Sequence, residues 1–403
     1  MRNPRLVAIL MVMTLSHTVS SFCNLSIPPL TPFLRDELHL THAQVGMLMS
    51  AFYAGVVSAS IPAGWLTDLL GERRALVFGL GIQGAFMTSF ASIHTLLIGG
   101  LFLFLAGIGY CSVNPATTKV VMSWFPPQGR ATAMGIKQTG IPLGGILAAL
   151  ALPGLALVFG WRTSIVFAGL TTCLFLLVPW LLMAPPPGIQ SQRAPIRWGQ
   201  LWEVFTNREI LALSIMGIFL AGVQLSIITH LVLFLKSKFL FSSVLAGIYL
   251  AVSQAGGTAG RVGWGLISDF LVRGKRKSIL LIIGIIAVGQ LFLLGRMEPD
   301  KPGMFLFLII VLLGFTAIGF HGVLLSFIAE QADHKLVGLA MGFSMTITFL
   351  GVILFPPFFG HLVDRLGSYT PAWDFLAISW VAALLILIFL VREKDMKKFH
   401  PER

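Results

Sequence analysis

Three cationic side chains stand where a cation is costly. Lys119, Lys137 and Arg261 lie within long apolar stretches, whereas all sixteen Asp and Glu fall in loops, tails or at the ends of such stretches. An ionisable group in hydrocarbon costs about 3 kcal/mol or more unless it faces a partner or a water-filled cavity, so each is a candidate functional group. Buried positive charge without buried acid is the chemistry for holding an anion. Arg261 suits a carboxylate, because a guanidinium offers two parallel N–H donors. Its helical neighbours include Gln254, Gly257 and Thr258. The alternative for Arg261 is a structural pair with Asp269 or with backbone carbonyls. Lys137 has Gln138 beside it, and a first-half cation facing a second-half cation would clamp an anion between the halves. The alternative is a lysine that snorkels to the cytoplasmic interface, the reading that also fits Lys119.

Uncharged polar groups extend the candidate solute site. His17, Ser20 or Ser21, and Asn24 fall on one helical face; Tyr110 and Asn114 share another, just before Pro115. Gln224 and His321 sit inside two further apolar runs. Each is a candidate cavity-lining group, with an interhelical hydrogen bond as the competing role. A histidine also changes charge near neutral pH and is a candidate proton carrier. His230 and His361 lie near outer ends and are placed outside the site. Enzyme chemistries find no support: there is no Gly-x-x-x-x-Gly-Lys loop and no His-Glu-x-x-His or paired-Cys set, so no metal or cofactor is expected. Cys23, Cys111 and Cys173 all fall in apolar runs and read as small packing residues.

These residues need a frame that tolerates hydrocarbon. The 403-residue chain is 56% hydrophobic and only 11% charged, with a mean hydropathy of +0.88; a soluble domain is about 25% charged. Apolar runs of about 20 residues predict membrane-spanning helices rather than barrel strands. Twelve are expected, at 6–30, 43–66, 74–92, 96–122, 131–157 and 161–184, then 208–235, 243–269, 277–295, 303–329, 336–362 and 371–391. The first reads as a retained span, being too long for a signal peptide. The fold class is an all-α membrane protein with two pseudo-symmetric six-helix bundles, 1–184 and 208–391, joined by a cytoplasmic linker, 185–207, and followed by a cytoplasmic tail, 392–403. In the linker, Trp198, Leu201, Trp202 and Phe205 recur at helical spacing and predict a short interfacial helix.

The net charge of +12 is a topology signal and not a nucleic-acid one. With the N-terminus cytoplasmic, eighteen of the 28 Lys and Arg fall on the cytoplasmic side, seven on the other, and three inside spans. Positive charge stays inside, so both termini are expected in the cytoplasm of an inner-membrane protein, with membrane lipid as the counter-charge and a monomer sufficient.

Asp68, in Gly64-Trp-Leu-Thr-Asp-Leu-Leu-Gly71-Glu-Arg73-Arg74, and Asp269, in Gly263-Trp-Gly-Leu-Ile-Ser-Asp-Phe-Leu-Val-Arg273, stand half a chain apart at equivalent span ends. Such repeats mark secondary transporters. The first segment resembles the loop after the second span of the major facilitator superfamily, Gly-x-Leu-x-Asp-Arg-x-Gly-Arg-Arg, and the resemblance covers the whole chain. Asp68 at a helix C-terminus needs a cationic or N-terminal partner, and a partner present in only one conformation makes a latch. The candidate gating residues are Gly64, Asp68, Gly71, Arg73, Arg74, Arg130 and Asp269, with the glycines allowing close approach of a neighbouring helix and a solvated turn as the alternative. Gly135-Ile-Lys-Gln-Thr-Gly140-Ile-Pro142-Leu-Gly144-Gly145 resembles the fifth-span motif of antiporters in that superfamily. Gly256-Gly-Thr-Ala-Gly-Arg261-Val-Gly-Trp-Gly265 and Pro356-Pro-Phe-Phe-Gly-His-Leu-Val-Asp364 resemble the monocarboxylate and oxalate/formate transporter group, in which the eighth-span arginine binds the substrate carboxylate. The expectation is a secondary transporter of a small organic anion, a carboxylate, working by alternating access with a proton as candidate co-substrate. A drug/proton efflux antiporter and a solute sensor on a transporter scaffold are the alternatives.

Overall fold

The computed structural model describes residues 4–125, 127–183, 198–268, 275–299, 303–332 and 336–392. Residues 185–197 of the expected linker, Asp269, and the tail from 393 onward lie outside these described residues, as does the side chain of Asp68. The helices are α1 (Pro4–Asn24), α2 (Ile27–Leu38), α3 (His42–Leu70), α4 (Glu72–Phe90), α5 (Leu96–Cys111), α6 (Val113–Trp124), α7 (Pro127–Gln138), α8 (Gly140–Phe175) and α9 (Leu177–Leu182). They continue with α10 (Trp198–Thr206), α11 (Arg208–Phe239), α12 (Ser243–Leu266), α13 (Arg276–Arg296), α14 (Gly303–Leu313), α15 (His321–Gln331), α16 (Val337–Leu366) and α17 (Thr370–Leu390).

Among the described residues, nine helical stretches are long and apolar enough to cross a bilayer. One of them, Ala133–Leu182, is 50 residues long, more than twice what a hydrocarbon core of about 30 Å requires. It is two spans. Gly160 takes φ 82° and ψ 156°, and Ser164 Oγ then reaches back to the Leu152 carbonyl at 3.4 Å, so the chain reverses there. With α4 (19 residues) and α12 (24 residues), both of spanning length, the spans number twelve. A short helix, α10, stands where the helical spacing in the linker predicts one. Its Phe205 ring lies 4.8 Å from that of Phe343, and Val204 packs with Ile210, Leu336 and Ala340.

Several spans read as continuous from the sequence are broken. The first breaks at Leu25–Ser26, ahead of Pro28 and Pro29, and the fourth at Ser112, ahead of Pro115. The fifth breaks at Thr139, ahead of Pro142; a proline removes an N–H and crowds the preceding turn. The tenth carries a π-helical turn, Gly314–Ile318, in which Gly319 N–H reaches back five residues to the Gly314 carbonyl at 3.0 Å.

The chain forms two compact units, Met1–Gln192 with Ile228–Ala251, and Arg193–Ile227 with Val252–Arg403. In the first, α3 packs on α5 and α1 on α8 through glycines, because little hydrophobic gain is available between helices in lipid and close backbone approach must serve instead. A Cβ added at Gly55 would overlap the Phe104 carbonyl, and one at Gly107 the Phe52 carbonyl. The C-terminal end of α11 joins this unit through Lys236, whose Nζ lies 3.2 Å from Asp36 Oδ2. In the second unit, Gly256, Gly257 and Gly260 of α12 seat against Val311, Ile318 and Phe315. Gly351 of α16 meets the Ile218 carbonyl of α11 in the same way.

Gly64 departs from expectation. No atom lies within 4 Å of an added Cβ there, so the close approach made by α3 belongs to Gly55. Gly107→Val is therefore expected to lower the thermal midpoint of the detergent-purified protein sharply, by about 1–3 kcal/mol of overpacking or more. Gly64→Ala should leave the midpoint unchanged or raise it, since alanine is favoured over glycine in a helix by about 1 kcal/mol. Scanning fluorimetry of the two variants checks both.

Candidate functional site

Lys137 lies in the last turn of α7, immediately before the break at Thr139, and its side chain is fully buried. Packing fixes the chain just beyond that break. Gly140 and Gly144 of α8 press against the α1 backbone at Thr14 and Thr18, where any Cβ would clash. That contact brings the end of α7 alongside His17. Across from it, α6 begins at the Ser112 break and presents Asn114, Thr117 and Thr118, spaced i, i+3 and i+4 and hence on one face.

The Lys137 ammonium meets three uncharged oxygens: Asn114 Oδ1 at 3.2 Å, Thr117 Oγ1 at 3.0 Å and Thr118 Oγ1 at 2.8 Å. An ammonium has three N–H donors and no acceptor, so this set satisfies it completely without a carboxylate. Thr117 shares its oxygen with His17 Nε2 at 2.9 Å and gives its own hydrogen to the Val113 carbonyl at 2.8 Å. Both lone pairs of Thr117 Oγ1 are then taken by donors, which assigns the His17 proton to Nε2.

The same logic orients Asn114. Lys137 only donates, so the amide oxygen of Asn114 must face it; Gln138 Nε2 also approaches that oxygen at 3.4 Å. The Asn114 Nδ2 group is left pointing the other way, and Asn114 is exposed while Lys137 is not. The site thus presents N–H donors outward over a sheltered positive charge.

Of the residues singled out in the sequence, His17, Asn114, Lys137 and Gln138 are brought together here. Thr117 and Thr118 were missed, although their spacing from Asn114 was a usable signal. Farther along α1, Asn24 Nδ2 reaches the Tyr53 hydroxyl at 3.4 Å. Tyr110 stands edge-on to Phe52 at 5.5 Å, and Phe52 to Tyr53 at 5.4 Å. Ser21 Oγ and Asn24 Oδ1 are buried without a hydrogen-bond partner among the described residues. Ser20 instead locks α1 to α4: its Oγ donates to Gln83 Oε1 at 2.6 Å, and Gln83 Nε2 returns to the Ser20 carbonyl at 2.8 Å.

In the second unit, Arg261 is half-buried on α12, and its carbonyl lies 3.1 Å from where a Cβ on Gly322 would sit. This tight crossing brings His321 within electrostatic range of the guanidinium. One turn beyond Arg261, Trp264 Nε1 donates to the Phe315 carbonyl at 2.8 Å, a carbonyl in the π-helical turn, and the two rings lie 5.1 Å apart. Gln254 is buried two turns before Arg261, and Gln224 is half-buried on α11.

Of the expected gating residues, Arg73 and Arg130 have partners among the described residues. Gly71 takes φ +81°, a conformation that favours glycine, between α3 and α4. The Arg73 guanidinium lies 4.3 Å over the Trp180 ring, and Arg74 is exposed. Arg130 Nε and Nη2 hold the Phe125 and Met122 carbonyls at 3.0 and 2.8 Å, closing the C-terminus of α6. Lys119 Nζ does the same for α3 at the Thr67 carbonyl, 3.2 Å away, so it caps a helix rather than only snorkelling. Among the described residues, no group of His, Cys, Asp and Glu is arranged to hold a metal.

A family model described as Major Facilitator Superfamily matches residues 11–342 and, in a second overlapping match, 272–403. The chain belongs to the Major Facilitator Superfamily. It is therefore a multi-pass membrane transporter and not an enzyme. An uncharacterized transporter of this superfamily from Mycobacterium tuberculosis is 29% identical over 384 residues, spanning 93% of this chain and 83% of that one. A probable galactarate/D-glucarate transporter of Bacillus subtilis is 24% identical over 392 residues, spanning 89% and 86%. Among solved structures, a bacterial homolog to the human lysosomal transporter Spinster superposes with a TM-score of 0.77 at 20% identity, covering 97% of this chain and 96% of that one. That last likeness is one of fold.

The shared role of Thr117 gives an expectation for this superfamily member. Thr117→Val deprives two buried donors, Lys137 Nζ and His17 Nε2, of their acceptor, whereas Thr118→Val deprives one. The bond to the charged Lys137 is worth about 1.5–3 kcal/mol and that to neutral His17 about 0.5–1.5 kcal/mol, so Thr117→Val should lower the thermal midpoint more than Thr118→Val. The reverse order would contradict the hydrogen-bond assignment.

Proposed function

We propose that this chain is a secondary transporter of a small organic anion, a carboxylate of the sugar-acid class, acting by alternating access in the cytoplasmic membrane with both termini cytoplasmic. The observation that carries the reading is the Lys137 ammonium, fully buried and held, among the described residues, by three neutral oxygens. Its charge has no acidic partner in that set, and a solute carboxylate supplies one. The outward-turned amide of Asn114, with Gln138 beside it, gives such a carboxylate its N–H contacts.

The unpartnered Ser21 Oγ and Asn24 Oδ1, together with Tyr53 and Tyr110, suit the hydroxyl groups of a sugar acid. A relative named for galactarate/D-glucarate transport is in keeping with that class. Arg261 is the second anchor, with Gln254, Gln224 and His321 around it, and His17 and His321 are the candidate proton carriers. The Gly71–Arg74 corner, Arg130, Asp68 and Asp269 are assigned to gating. The basic residues Arg5, Arg73, Arg74, Arg276 and Lys277 fall at span ends that this orientation places in the cytoplasm.

Uptake of labelled aldarates, hexuronates and simple monocarboxylates into proteoliposomes tests the reading. Wild-type protein is expected to carry at least one of them. Asn114→Asp is the most discriminating variant: it places a carboxylate against Lys137, neutralises the site and replaces a donor by an acceptor, all without changing shape. Anion affinity should fall about tenfold or more, equivalent to about 1.4 kcal/mol, while the thermal midpoint holds or rises. Wild-type anion transport by Asn114→Asp, or by both Arg261→Ala and Lys137→Met, would overturn the charge-based reading.

A further inference from the structure

The oxygens around Lys137 are of the neutral kind that also hold free cations. Two threonine hydroxyls and one amide oxygen, all uncharged and all from one helical face, converge on a single point at 2.8–3.2 Å. Hard cations are held by such oxygen sets. A lysine placed there to pair with an acid would have met a carboxylate; this one meets only dipoles. Its position in the last turn of α7 adds the partial negative charge of a helix C-terminus.

We propose that the Lys137 ammonium is a tethered cation filling a site that Asn114, Thr117 and Thr118 would otherwise offer to a free monovalent cation. The chain's own side chain then supplies the positive charge that a bound Na+, K+ or ammonium ion would bring. On the anion reading above, on which this clause rests, solute binding in this unit needs no dissolved metal cation. Covalent attachment also makes the site permanently occupied, because a tethered ligand competes at very high effective concentration.

The surroundings support a site that accepts charge only as this one cation. Facing α1 at His17, α7 contributes Lys137. Lys119 of α6 is turned to the Thr67 carbonyl, Glu72 of α4 receives Ser123 Oγ at 3.4 Å, and Arg73 of α4 is stacked on Trp180. Arg162 of α8 is engaged with Glu37 at 2.8 Å. These contacts lead elsewhere, so the three oxygens serve Lys137, with His17 sharing Thr117 and Gln138 sharing Asn114 at a longer distance.

The test is chemical rescue of the full-length protein in detergent, read as thermal midpoint at constant ionic strength with no organic anion present. Lys137→Ala leaves the three oxygens and the channel of the lysine stem. Butylammonium and ammonium chlorides should raise its midpoint saturably by a few degrees relative to choline chloride, and Lys137→Ala with Thr117→Val and Thr118→Val should lose that response. Wild-type protein should show the same midpoint in sodium, potassium and choline chlorides, a comparison that needs no variant. A saturable rise of the wild-type midpoint in sodium or potassium would overturn the proposal. So would a folded Lys137→Ala protein that responds to none of the cations. Because no solute is present, failure here leaves the anion reading standing, and failure of anion uptake leaves this one standing.

Discussion

A full positive charge buried in a membrane bundle must be stabilised by something, and at Lys137 the described structure offers only dipoles. That constraint organises the first unit. The ammonium needs three acceptors at once; one broken span provides them and another presents the lysine. The Ser112 break ahead of Pro115 starts α6 so that Asn114, Thr117 and Thr118 share a face, and the Thr139 break ends α7 with Lys137 opposite them. Gly140 and Gly144 hold α8 hard against α1 and thereby carry His17 to the same threonine. Loosening that packing would leave a charged group unsatisfied in a low-dielectric setting, where each lost partner is expensive.

The second unit solves a related problem with a different device. Arg261 sits where α12 crosses the π-helical turn of the tenth span. Widening the helix there frees carbonyls from the ordinary ladder, and the Phe315 carbonyl takes the Trp264 indole N–H. Such turns are frequent at functional sites. This one fixes the register between the turn bearing Arg261 and the turn bearing His321, through the glycine contacts of Gly260, Gly319 and Gly322.

The parts of this arrangement that the sequence reveals are those that are rare in hydrocarbon. A lysine, an arginine, an asparagine or a histidine inside an apolar run is costly enough to be noticed singly, and His17, Asn114, Lys137 and Gln138 do assemble. Threonine is tolerated in membrane helices because its hydroxyl can return to the carbonyl four residues back, as Thr14, Thr18, Thr67 and Thr88 do. Thr117 and Thr118 therefore carried no individual signal. The glycine at position 64 shows the opposite failure. A small residue permits close approach, but composition does not say which face meets a neighbour, and Gly55 rather than Gly64 takes that role. The π-helical turn was invisible for a third reason: Gly314-Phe-Thr-Ala-Ile contains no proline, and the contacts it makes with α12 are tertiary. The twelve spans were legible almost to their ends, because the apolar length needed to cross a bilayer leaves little freedom.

The central claim is that the chain recognises negative charge on its solute. Titration calorimetry of wild-type protein with a hexuronate and with its uncharged uronamide, equal in shape and hydroxyl pattern, measures that directly. The account predicts that the carboxylate binds at least about tenfold more tightly, a difference of about 1.4 kcal/mol. Equal affinity for the two, or preference for the amide, would contradict it.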